Sequence, residues 1–87
     1  MFYLMARHKL ADFDTWNRIF ESHAEAQRNA GLHLLHVLRE ISDPNSVVAL
    51  FEVDDLEKAN AFTGAPGARE AGGQAGVISV EMSYWSD

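Results

Sequence analysis

An α+β fold built on one antiparallel sheet is predicted by three observations. Four segments alternate in polarity or are rich in β-branched and aromatic residues, and two helical patterns fall between them in the order β-α-β-β-α-β. The middle two strands are joined by Ser42-Asp43-Pro44-Asn45-Ser46, which reads as a turn and favours a hairpin. The chain has 87 residues, enough for a single domain spanning 1–87.

The elements follow in order. Residues 2–9, FYLMARHK, form a strand with Phe2, Leu4, Ala6 and His8 on one face and Tyr3, Met5, Arg7 and Lys9 on the other. Asp12 or Asp14 then opens one continuous helix, because a carboxylate accepts from the free N–H groups of a first turn. Gly31 closes it where a left-handed residue is needed. Leu32–Ile41 is the second strand, with His33, Leu35 and Val37 expected on the helix-facing side and Leu34, His36 and Leu38 on the other. Val47–Val53, VVALFEV, is the third. Asp54 begins a capping box, and a helix follows to about Phe62. Gly64-Ala65-Pro66-Gly67 interrupts it, and a short segment from Gly67 ends at Gly72, Gly73 and Gly76. Val77–Trp85 is the last strand, with Ile78, Val80, Met82 and Tyr84 on one face. Right-handed crossovers give a ferredoxin-like, four-stranded sheet with the helices on one side.

The long helix carries an anomaly. At about 100° per residue, Trp16, Phe20, His23, Gln27 and Ala30 share a face that should be apolar. A histidine and an amide turned toward a core need partners, so the face points to a pocket. The other side of the sheet would carry Tyr3, Met5, Leu34, Leu38, Val48, Leu50 and Trp85, which is too apolar for open surface. It predicts a homodimer with the two sheets face to face.

Composition removes several classes. A formal net charge of −6 opposes nucleic-acid and anionic-membrane partners. The absence of cysteine excludes disulfides, thiolate metal sites and cysteine nucleophiles. No run approaches the roughly 20 apolar residues of a membrane span, and the N-terminus does not read as a signal peptide, so the expected location is cytoplasmic. His33-x-x-His36 is not a ligand pair on a strand, where residues three apart face opposite ways. A three-histidine set of His8, His23 and His33 is conceivable for a metal but has no carboxylate behind it, and no metal is expected. There is no Gly-x-Ser-x-Gly elbow, and the glycines near the second helix lack the Lys-Ser/Thr of a phosphate loop.

The runs HKLADFDTWNRIF, AGLHLLHVLREISDPNSVVALFEVDDLEKANAF and AREAGGQAGV together resemble the small dimeric α/β-barrel proteins of the antibiotic-biosynthesis-monooxygenase and polyketide-cyclase-like group. The resemblance covers nearly the whole chain. It implies two ferredoxin-like protomers that join their sheets into a barrel, each with a small-molecule pocket between its own sheet and helices. Some members of that group oxygenate polyketide aromatics without metal or flavin. Others cyclise polyketide chains with histidine and tyrosine, degrade haem, or have no known activity. The asparagine expected on the first strand of a haem-degrading member is missing here.

Within that frame His23 and His8 are the candidate bases, since a histidine near neutrality takes a proton from a phenol or an activated methylene. His33 and Tyr84 are the candidate stabilisers of the oxyanion. Trp16 is the stacking wall, and Gln27, Phe20 and Phe51 complete the substrate-binding set. No cofactor is expected, and the substrate is aromatic or polyketide-like. Two other readings remain: a binding or structural dimer without catalysis, in which no cavity lies beside the histidines, and a haem- or metal-binding protein.

Overall fold

β1 (Phe2–Leu10) lies inside the sheet, between β3 (Asp43–Val53) and β4 (Val77–Ser86), and β2 (Leu32–Glu40) pairs with the far side of β3. The order β2-β3-β1-β4 is antiparallel throughout, the expected ferredoxin-like topology. The computed structural model describes the backbone of residues 1–87 and every side chain except that of residue 69. α1 (Phe13–Ser22) and α2 (Ala24–Asn29) connect β1 to β2; α3 (Leu56–Thr63) and α4 (Pro66–Gln74) connect β3 to β4.

The alternation along β1, β3 and β4 sorts their side chains as expected. Leu4 pairs with Phe51 and Tyr84, Ala6 with Ala49 and Met82, and His8 with Val47 and Val80, all on the helix side. Leu4, Ala6, Leu32, Ala49, Phe51, Val53 and Ala59 form one buried cluster, against which Phe20 and Phe62 pack. Leu10, Trp16, Val47 and Ala75 form a second.

β2 departs from its expected phase. Leu34 pairs with Phe51 but His36 pairs with Leu50, so Leu35 is the extra residue of a bulge. One extra residue inverts the faces on one side of it. Leu32 and Leu34 therefore lie on the helix side before the bulge, and Val37 and Arg39 after it. His33 pairs with Glu52 and belongs to the opposite face, which overturns its expected helix-facing placement. Leu34 changes sides in the other direction.

The helix is also not continuous. Asp12 caps α1, accepting from the Thr15 N–H at 3.0 Å and the Thr15 hydroxyl at 2.8 Å, which holds its carboxyl below the usual carboxylate range. The helix stops at Ser22, and His23, with φ −97° and ψ 7°, joins it to α2. Gly31, at φ +79°, then turns the chain into β2.

Three boundaries differ from the sequence reading. β3 starts at Asp43 rather than Val47; its first residues pair only with β2, because the β1 ladder ends at Lys9–Ser46, so Pro44 sits where one ladder is missing. Asn45 in that segment accepts the Phe13 N–H at 3.0 Å and ties the start of α1 to the hairpin. Asp55, not Asp54, caps α3 through the Lys58 N–H. α4 runs from Pro66 through Gly72 and Gly73 to Gln74, and the chain turns at Gly76, φ +75°.

Candidate functional site

The two helical connections leave a cavity of about 480 Å³ between themselves and the sheet. β1 contributes Leu4, Ala6 and His8 to it, and α1 contributes Trp16, Ile19 and Phe20. His23 stands at the helix junction and Gln27 on α2. β3 supplies Phe51, and α3, α4 and β4 close the remaining sides. No Lys, Arg, Asp or Glu lines it among the described residues. A mostly apolar hollow of this size with a few convergent polar groups is what a small-molecule site requires.

The aromatic wall is continuous. The rings of His8 and Trp16 are 5.4 Å apart, those of Trp16 and Phe20 stack at 4.6 Å, and Phe20 meets Phe51 at 6.1 Å. Phe13 supports Trp16 from behind at 5.9 Å, and the Arg39 guanidinium lies 3.8 Å over the Phe13 ring. Trp16 is thereby fixed, at 3% exposure, as a rigid wall rather than a loose side chain.

One buried polar atom on this wall lacks a partner. The His8 Nδ1 is buried and accepts or donates no hydrogen bond among the described residues. Burial pushes the His8 imidazole below its ordinary pKa, so the ring is a neutral base near pH 7. Gln27, 8% exposed as a residue, lines the same cavity, but its amide is not among the buried unpaired atoms. Unsatisfied buried groups are rare in folded proteins and call for an explanation.

Of the residues expected at the site, His8, Trp16, Phe20, His23, Gln27 and Phe51 come together around the cavity. His33 and Tyr84 do not. The His33 Nε2 is 2.6 Å from the Asp54 carboxylate on the surface, so its partner is already in place. Without it, His8 and His23 have no third imidazole beside them. Tyr84 does lie on the helix side, opposite Leu4, but on the edge strand, 38% exposed and outside the cavity lining. Sequence reasoning missed the contribution of Thr63, Ala68, Ala71, Gly72 and Ser79. Their signal is faint: all are small, and all but Ser79 on β4 lie in or beside a segment that reads as a glycine-rich interruption.

A smaller hollow of about 350 Å³ lies on the far side of Phe20, Gln27 and Leu32, which line both. Asn17, Glu21, Arg28 and His33 edge it.

Comparison with known proteins places the architecture. No protein-family model and no curated protein matches the sequence. Solved structures match along its whole length. SnoaB, a cofactor-independent oxygenase from Streptomyces nogalater solved as a point mutant, is 18% identical, with 99% of this chain and 91% of that chain aligned and a TM-score of 0.75. The chain has the fold of the antibiotic biosynthesis monooxygenase-like proteins. A candidate antibiotic biosynthesis monooxygenase from Deinococcus radiodurans is 17% identical over 100% of this chain and 92% of that one, with a TM-score of 0.72. A NIPSNAP domain protein from Burkholderia xenovorans shares the fold too, at 14% identity over 100% of this chain and 94% of that chain, TM-score 0.68. Identities this low speak for the fold; the activity has to be argued from the site. Among the described residues, no helix is long and apolar enough to cross a membrane.

Proposed function

We propose that the chain is an enzyme of the monooxygenase-like type that needs no cofactor and acts on a neutral aromatic or polyketide-like substrate. The observation that carries this reading is the cavity itself, in which His8, with its buried unpaired Nδ1, and His23 stand on an aromatic wall beside Gln27. A packed core histidine would have no such space next to it.

In this reading the substrate ring lies along Trp16 and Phe20, with Phe51 beyond. His8, neutral near pH 7, takes a proton from a phenol or an activated methylene, and His23 is the second base within the same cavity. The Gln27 amide N–H donates to the oxygen on which negative charge develops. The lining is mostly apolar, and its low dielectric strengthens each of these hydrogen bonds. The carbanion or phenolate so formed is the species that reacts with dioxygen in a cofactor-free oxygenation.

The same reading takes the opposite sheet face as the contact with a second copy of the chain. Met5, Leu38 and Trp85 stand exposed there at 36%, 55% and 57%.

Anthrone tests the reaction, since its methylene is acidic and its reaction with dioxygen gives anthraquinone and water. Anthraquinone formation followed by absorbance is expected to be accelerated by the protein and to fall roughly 100-fold in His8→Ala or His23→Ala. Formation at the buffer rate with every aromatic methylene or phenol tried would overturn the reading.

A further inference from the structure

α4 contains two consecutive glycines for which its backbone has no use. Gly72 and Gly73 lie inside the helix, and neither has a positive φ. A Cβ added at Gly72 would have its nearest neighbours at 3.9 Å, on Val77, which is ordinary contact. A Cβ at Gly73 would meet nothing within 4 Å. Glycine inside a helix is destabilising relative to alanine, because it has more freedom to lose on folding. The chain thus forgoes helix stability at a place where neither conformation nor packing asks for it.

Gly72 and Ala71 line the large cavity, as do Gln27 and His8, whose Nδ1 is buried without a partner. A buried polar atom left unpaired on a cavity wall marks a place where a ligand atom completes the hydrogen bond. The helix that supplies the small residues and the helix that supplies the amide bound the same space.

We propose that Gly72, with Ala71, is a specificity-determining position that keeps open the part of the cavity occupied by the outer ring of a polycyclic ligand. The proposal rests on reading the cavity as an aromatic site. It adds that α4 sets how many rings the site accepts, while Trp16 and Gln27 hold the first ring and its oxygen.

Calorimetric titration with two neutral probes, two-ring 1-naphthol and three-ring 1-hydroxyanthracene, tests it. The wild-type protein is expected to bind both. Gly72→Leu should weaken the three-ring phenol by on the order of tenfold or more and leave the two-ring phenol within about twofold. Gly72→Ala should melt no lower than wild type, and higher if the helix gains what alanine ordinarily gives, while its preference shifts the same way. Equal weakening of both probes, or of neither, overturns the proposal while leaving the aromatic site standing. A lower melting temperature for Gly72→Ala overturns it as well, since the glycine would then have a structural role. Failure of the wild-type protein to bind either phenol overturns the aromatic reading and the proposal with it. Ala71→Val, read against both probes, serves if Gly72→Leu does not fold, and equal binding there counts against the proposal in the same way.

Discussion

The His8 imidazole lies 5.4 Å from the Trp16 indole, centroid to centroid, with its Nδ1 buried and without a partner. A buried polar atom left unpaired opposes folding by about 1–3 kcal/mol, so His8 is a residue the fold tolerates rather than uses. His8→Leu is expected to raise the unfolding free energy at pH 7 by about 1 kcal/mol, read from urea denaturation, and to abolish turnover of any true substrate. Loss of stability in that variant would show that the imidazole is satisfied in a way the geometry does not reveal.

The same residue sets a pH dependence. Burial lowers the His8 pKa in the folded chain, so just below the ordinary histidine value the unfolded chain binds more protons than the folded one. Stability then rises with pH through that window: it is fully present above about 6.5 and declines as pH falls toward the lowered folded value. The difference in urea midpoint between wild type and His8→Leu should therefore widen, in favour of the variant, between pH 7.5 and 5. A constant difference would mean that His8 is not shifted downward.

Asn45 reaches from the β2–β3 hairpin to the start of α1, where its side-chain oxygen accepts the Phe13 N–H at 3.0 Å. Asn45→Ala should cost about 1 kcal/mol. Because Phe13 packs against Trp16, the loss should also appear as a change in the near-ultraviolet circular dichroism of the indoles. A variant identical to wild type in both measurements would show that the bond is replaced by water.

Much of this was legible in the sequence because the physics was local. The alternation of β1, β3 and β4 sorted their faces correctly, and the period of the Asp12–Gly31 stretch brought Trp16, Phe20, His23 and Gln27 to one side. The β2 bulge at Leu35 was not legible, since an alternating run carries no mark of one inserted residue, and it alone sent His33 to the wrong face. The helix break at His23 was hidden for a similar reason: nothing in Ser22-His23-Ala24 forbids helix. Tyr84 was placed on its correct face, but a sequence does not say how far an edge strand extends beyond its covering helices.

The exposed Met5, Leu38 and Trp85 make the open sheet face the expected dimer contact. Sedimentation at micromolar concentration should give a dimer for wild type. Met5→Lys combined with Leu38→Lys should raise the dissociation constant on the order of 100-fold, because each contact would then bury an unpaired charge. A wild-type monomer would contradict this assignment and leave the cavity reading untouched.

Proton abstraction inside the cavity is tested most directly by deuterium uptake at the anthrone methylene, followed by proton NMR in D2O without dioxygen, so that oxygenation plays no part in the rate. The wild-type protein is predicted to accelerate loss of the methylene signal, and His8→Ala and His23→Ala to lower that rate roughly 100-fold or more. Exchange at the buffer rate with wild type, or at an unchanged rate in both variants, would contradict the account.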